Sequence, residues 1–152
     1  MIREYEDADR NSVMKLWLNT NIQSHSFISE EYWRSHYDMV KEMLPKAELY
    51  VYEDDTSGAV EGFIGLTGDY IAGIFVRADV QSKGIGKQLL DHAKMRKTGL
   101  SLKVYRRNER AVRFYLREQF VVDSESIDED TYEKEFVMKW DSSGICHTQD
   151  MP

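Results

Sequence analysis

Apolar and polar positions along this chain switch repeatedly between a period of two and a period near four, and the switches mark out its elements. Residues 2–6 (IREYE) alternate as a first strand. Asp7 or Asp9 can cap a helix that runs to about Asn19, because Val13, Leu16, Trp17 and Thr20 then share one face. Residues 21–28 read as a connection. Ser29, with Glu30 and Glu31 behind it, starts a second helix. Its apolar side carries Trp33, His36, Tyr37, Val40, Met43 and Leu44, and Pro45 ends it. Residues 48–53 form a strand rich in Tyr and Val, residues 54–58 a hairpin loop, and residues 60–67 the partner strand. Gly68 and Asp69 turn the chain into an almost unbroken apolar strand ending at Val76.

A helical run over 87–96 follows, then an alternating strand over 100–105 and a short helix over 109–118. Residues 120–126 and 131–140 read as an antiparallel pair around Asp128-Glu129-Asp130. Residues 141–152 lack periodicity and are expected to form a frayed, disordered tail. The pattern shows no internal repeat and no second domain. Antiparallel strands beside two strand–helix units predict an α/β (mixed α+β) fold. Its mainly antiparallel central sheet has about six or seven strands, with helices on both faces, in a single domain over 1–140.

The 152 residues suit one domain, and 41% hydrophobic residues suffice for its core. The opening residues read as a strand rather than a basic segment followed by an apolar one, so no signal peptide is expected. No apolar run approaches membrane-spanning length. Cys146, the single cysteine, cannot form an intrachain disulfide. These features predict a soluble, cytoplasmic protein. A net charge of −7 argues against general nucleic-acid binding, which rests on neutralising phosphates. Residues 77–117 reverse that balance, with twelve Lys or Arg against three Asp or Glu. Such a stretch suits a phosphorylated nucleotide, and the acidic remainder suits a cationic partner such as an amine.

The chemistry concentrates in Gln81-Ser82-Lys83-Gly84-Ile85-Gly86, which lies between the apolar strand and a helix. The first N–H groups of a helix lack intrahelical partners and carry the positive end of its dipole, so they can receive a pyrophosphate. Glycine lets the backbone approach. The dinucleotide fingerprint is excluded, because its third glycine would fall at Leu89; no P-loop pattern occurs. Alone, the segment also reads as an ordinary strand-to-helix turn.

A second motif changes that reading. Asn108-Glu-Arg-Ala111-Val-Arg-Phe114-Tyr115-Leu-Arg-Glu-Gln119-Phe120 matches N-x-x-A-x-x-F-Y-x-x-x-G-F at every fixed position but the glycine, which is Gln119 here. Together with Q-x-x-G-x-G upstream, it resembles the GNAT superfamily of acetyl-CoA-dependent N-acyltransferases over roughly residues 2–140. Leu16-Trp-Leu18 and His25-Ser-Phe-Ile28 with Tyr32-Trp33 are similar to small bacterial members of the YjaB and YiaC type. A glycine at position 119 would end the helix in the left-handed region. Gln119 must adopt that conformation at some cost or close the helix differently.

The resemblance implies an N-acetyltransferase with acetyl-CoA as cosubstrate, working by direct attack in a ternary complex. Main-chain groups of Ile74, Phe75 and Val76 would pair with the pantetheine arm. Gln81, Ser82, Lys83, Gly84, Ile85, Gly86 and Lys87 would hold the pyrophosphate. Asn108 serves as a helix cap, a cofactor contact, or both. Tyr115 is either a core aromatic or the general acid for the leaving thiolate. A phenol, with a reference pKa of about 10, keeps its proton at neutral pH. His25, Phe27, Trp33 and Tyr70 would line the acceptor cleft.

No general base is legible. His25 titrates in a suitable range but also reads as an ordinary loop histidine. His36, His92 and His147 show no metal-ligand spacing. No Ser–His–Asp or Cys–His set is present, and Cys146 lies too near the end to be a credible nucleophile. The implied partner is an amine, either a small molecule or a protein lysine or N-terminus, with no nucleic acid and no membrane. The chain would act as a monomer or homodimer. Two other classes stand beside this: a CoA-binding regulatory domain without turnover, and a phosphate-binding structural domain without acyl chemistry.

Overall fold

The computed structural model describes residues 1–143; Cys146, His147 and most of the expected tail lie outside them. The elements run β1 (Ile2–Glu4), α1 (Arg10–Ser24), α2 (Glu30–Met43), β2 (Glu48–Glu53), β3 (Val60–Thr67), β4 (Tyr70–Val76), α3 (Ile85–Lys94), β5 (Gly99–Tyr105), α4 (Glu109–Arg117), β6 (Val121–Ile127) and β7 (Lys134–Asp141). The strands form one sheet in the order β1-β2-β3-β4-β5-β7-β6. Every pairing is antiparallel except β4 with β5.

The period-two pattern sorts side chains between two cores. Tyr50, Ile64, Leu66, Ile71, Leu102 and Met138 pack on one face against Leu89, Leu90 and Ala93 of α3 and Tyr115 of α4. Leu49, Val51 and Phe63 turn to the other face and meet Val13, Met14 and Leu16 of α1. Leu89 is fully buried, so truncating it to alanine would cost about 2–5 kcal/mol.

Several boundaries differ from the pattern. The expected connection over 21–28 is shorter, because α1 continues to Ser24. Its late polar residues bond backward along the helix: Thr20 Oγ1 donates to the Leu16 carbonyl at 2.5 Å and Asn21 Nδ2 to that of Trp17 at 2.9 Å. Asp9 precedes α1 but does not cap it with its side chain. Its carboxylate instead accepts from the Arg3 fork at 2.8 and 2.9 Å and from the Glu6 N–H at 2.8 Å. The Arg3 guanidinium holds that carboxyl below its usual range. Ser29 does cap α2, accepting from the Tyr32 N–H. Met43 is not on the buried side of α2; it is 57% exposed. Pro45 sits in a single 3-10 turn, Leu44–Lys46, just past the helix end. The helix expected over 87–96 is α3, starting at Ile85 and ending at Lys94. β7 starts at Lys134 rather than 131, because residues 128–133 close a loop through Tyr132 N–H to Asp128 C=O at 2.8 Å and Asp128 N–H to Glu133 C=O at 2.9 Å.

The feature that positions the site is the parting of β4 from β5. They pair at Tyr70 with Ser101 and at Ile71 with Leu102, and no further. On its other side β4 follows β3 as far as Val76, with Ala72 as an extra residue between the Ile71 and Gly73 pairings. Such a bulge bends its strand. Beyond Ile71, one edge of β4 is open.

Candidate active site

The loop leaving β4 is set by two left-handed residues, Ser82 at φ 71° and Gly84 at φ 84°. Gly84 is the N-cap of α3 and offers no side chain to cap it. None of the main-chain N–H groups of residues 82–87 has a partner among the described residues; the first helical bond runs from Gln88 N–H to Gly84 C=O at 3.0 Å. Unpaired N–H groups on a left-handed turn leading into a helix are the donors an anion requires. Ile85 is 4% exposed, so its side chain belongs to the core and only its N–H is available. Gly86 lies near Phe114 and Val76, where an added Cβ would stand 3.7–3.8 Å from their side chains. Lys83 is exposed. Lys87 turns back along α3, with Nζ 3.1 Å from both Asp91 and Glu118.

Arg77 donates its N–H to the carbonyl of Glu61, opposite it, at 2.8 Å. In an antiparallel ladder, bonded and non-bonded pairs alternate. Val76 with Gly62 and Ile74 with Ile64 are therefore non-bonded pairs. Ile74 and Val76 thus turn their N–H and C=O groups toward the open edge. Phe75 turns its own toward β3 and stacks its ring on Phe63 at 4.7 Å. The Val76 carbonyl already has a partner: Gln81 Nε2 donates to it at 3.0 Å. Gln81 Oε1 in turn accepts from Arg110 Nη1 at 2.7 Å, and Arg110 Nη2 reaches Ser82 Oγ at 3.2 Å. A cavity of about 340 Å³ opens here, lined by Gln81, the segment from Arg107 to Arg110, and the end of α1 at Gln23 and Ser24.

Asn108 caps α4, accepting the Ala111 N–H on Oδ1 at 3.3 Å. Its Nδ2 lies 3.1 Å from His25 Nε2, while His25 Nδ1 lies 3.1 Å from the Asn21 carbonyl. These contacts fix one tautomer: Nδ1 carries the hydrogen and donates, and Nε2 accepts from Asn108. Burial pulls the His25 pKa down to about 4, partly opposed by the Asn21 carbonyl. His25 is therefore neutral near pH 7, with its lone pair engaged.

Tyr115 is 8% exposed and packs edge-on against Phe114 and Phe120. Its hydroxyl makes no hydrogen bond among the described residues. Burial raises its pKa above the usual phenol value, and nearby Tyr70 adds to this. Of the expected acceptor wall, three members come together. The His25 ring stacks on Trp33 at 5.3 Å and meets Phe27 edge-on at 5.7 Å. Tyr70 makes no ring contact with that group; it stands within electrostatic reach of Tyr115 and of Glu135.

Four residues near the site were not singled out by the sequence patterns. Tyr105 closes the aromatic group, 5.1 Å from His25 and 5.8 Å from Phe27. Its hydroxyl donates to Asp128 at 2.5 Å. Glu135 stands opposite Tyr105 in the β5–β7 register. Burial raises the Glu135 pKa, the Asp128 charge raises it further, and Lys103 opposes. Arg110 is the fourth. The only available signal was parity: Tyr105 shares the polar side of β5 with Ser101 and Lys103. Nothing in the spacing marked Asp128, Glu135 or Arg110.

The sequence pattern of the acetyltransferase (GNAT) domain matches residues 45–122. The chain is 31% identical over 142 residues to the peptidyl-lysine N-acetyltransferase YiaC of Escherichia coli K12, covering 92% of this chain and 96% of YiaC. The apo-form solution structure of YjaB from Escherichia coli superposes with a TM-score of 0.82 at 27% identity, covering 92% of this chain and 96% of that one. A spermidine N-acetyltransferase from Vibrio cholerae, solved with CoA and spermine, shares the fold with a TM-score of 0.69 at 20% identity, covering 95% and 96%. The match of the domain pattern over half of the chain and the identity to YiaC over nearly all of it show that the chain belongs to the GNAT acetyltransferase family.

Proposed function

We propose that this chain moves an acetyl group from acetyl-CoA to a primary amine by direct attack in a ternary complex, with Tyr115 as general acid. The observation that carries the reading is the run of unpartnered N–H groups over residues 82–87 beside the open edge of β4. That pairing suits a ligand with a pyrophosphate at one end and amides along its arm. Residues 1–140 would act as one cytoplasmic transferase domain, as a monomer or homodimer. The acceptor is a lysine side chain of a protein, as in the names of YiaC and YjaB. The carboxylates of Asp128 and Glu135 on the acceptor side favour a cation.

A lysine ammonium, with a reference pKa of about 10.4, must lose a proton before it can attack. Glu135 takes it, since burial raises a carboxylate toward the range where a general base is effective. The neutral nitrogen then bonds to the thioester carbonyl carbon and the carbon–sulfur bond breaks. The Tyr115 proton goes to the departing sulfur, and the proton shed by the new amide nitrogen restores the phenol. His25, Phe27, Trp33 and Tyr105 shape the cleft and exclude water.

The test is thiol release from acetyl-CoA, with and without lysyl peptides, peptides with a free N-terminus, and spermidine. Release that depends on a lysyl peptide, with mass spectrometry placing the acetyl group on lysine, is the expected result. CoA binding without release to any amine would instead support a regulatory CoA-binding domain.

A further inference from the structure

We propose that Gln81 and Arg110 form a latch that reserves the open edge of β4 for acyl donors carrying phosphate. The proposal rests on the acetyl-CoA reading and goes beyond it, because it assigns donor selectivity to two named side chains. Three bonds define the latch. Gln81 Nε2 covers the Val76 carbonyl at 3.0 Å, Arg110 Nη1 holds Gln81 Oε1 at 2.7 Å, and Arg110 Nη2 touches Ser82 Oγ at 3.2 Å. The Val76 carbonyl faces the side where β4 has lost β5, so it is an acceptor that an incoming amide N–H would use. A donor that pairs with this edge must first displace Gln81.

Arg110 supplies the means. Arg77, Arg106, Arg107 and Arg113, on the same basic stretch, each have a carboxylate partner. Arg110 has none among the described residues; its partners are a neutral amide and a hydroxyl. Arg110 and Ser82 are both exposed and border the unpartnered N–H groups. A guanidinium bonds a phosphate more strongly than a neutral amide, because the acceptor is charged. Phosphate arriving at the loop therefore draws Arg110 from Gln81. Gln81 then holds Val76 with one bond fewer, and the edge opens to the donor's amides. A thioester without phosphate lacks this exchange and must displace Gln81 unaided. Phosphate binding and edge pairing thus strengthen each other, and such coupling is reciprocal.

Calorimetric titration with CoA and with pantetheine tests this on the wild type, Gln81→Ala and Arg110→Met, each checked for folding by circular dichroism and thermal melting. Arg110→Met should bind CoA about 10–100-fold more weakly, the worth of a bond to a charged group. It should bind pantetheine no more weakly than the wild type. Gln81→Ala should bind pantetheine about 2–10-fold more tightly, the worth of a neutral bond removed from competition. Folded Gln81→Ala with no gain for pantetheine, or Arg110→Met losing both ligands in parallel, would overturn the latch. Absence of CoA binding by the wild type would overturn the acetyl-CoA reading itself.

Discussion

At the scale of single residues, a buried phenol and a partly buried imidazole are both held in their neutral forms. Burial raises the Tyr115 pKa above the ordinary tyrosine value, so the phenol carries its proton at neutral pH and can donate it. Tyr115→Phe preserves the ring packing against Phe114 and Phe120 and removes only the donor. Single-turnover acetyl transfer should fall about 10²–10⁴-fold with CoA affinity unchanged. Transfer at the wild-type rate would make Tyr115 a core aromatic. His25 offers a separate pH test. Its pKa falls from 6.5 in the free side chain to about 4 in the fold. Between those values the unfolded chain binds the extra proton, so stability decreases as pH drops through this window. Protonation would also set a new Nε2 hydrogen against the Asn108 amide, whose oxygen is committed to capping α4. From pH 7 to 4.5, the stability of the wild type relative to His25→Gln should fall by about 2–3 kcal/mol, read from urea unfolding. A constant difference would mean that His25 is not buried as neutral imidazole.

At the scale of elements, legibility followed locality. β2, β3 and β4 are readable because alternation and turn residues act within a few positions. The end of α1 was missed because Thr20 and Asn21, which often stop helices, here bond back to α1's own carbonyls. The end of α4 shows the opposite case. Gln119 takes φ 75° in place of the family glycine. The Phe120 N–H reaches the Tyr115 carbonyl at 3.0 Å and the Gln119 N–H that of Leu116 at 3.1 Å. This is a Schellman closure, with Phe120 packed on Tyr115 as its apolar contact. The turn that places Tyr115 is thus kept despite backbone strain. At the other end of the site, Gly86→Asp separates folding from binding. An added Cβ meets only ordinary contacts there, and an acid in the first turn of α3 is favoured by about 0.3–1 kcal/mol. The same carboxylate would repel phosphate. The melting temperature should hold or rise while CoA affinity falls at least about tenfold, since a nearby like charge costs more than one bond. Unchanged affinity in the folded variant would remove the phosphate assignment from this loop.

At the scale of the whole molecule, the site exists because three distant segments meet where β4 and β5 part. The first is the loop after β4, the second the start of α4, and the third the loop between α1 and α2. The sequence carried the first two as motifs. It did not carry the parting of the strands, because parallel pairing between β4 and β5 spans a whole helix and leaves no local pattern. For the same reason nothing in the spacing marks Asp128, Glu135 or Arg110, and only parity marks Tyr105. Charge follows the same geometry. Half of the twelve basic residues over 77–117 are held in ion pairs among the described residues, such as Lys97 with Glu48 and Arg106 with Glu125. Among the described residues Lys83 and Arg110 remain without carboxylate partners at the loop, so an anionic ligand there relieves like-charge repulsion as well as filling N–H groups. Binding to the folded form alone adds about 2.7 kcal/mol at a hundredfold excess over the dissociation constant. For a chain of this length that raises the melting temperature by about 5–10 °C. Thermal melting with acetyl-CoA should show this rise, and added salt should reduce it by screening the exposed cations. A melting temperature unmoved by millimolar acetyl-CoA would make residues 81–87 an ordinary turn between a strand and a helix.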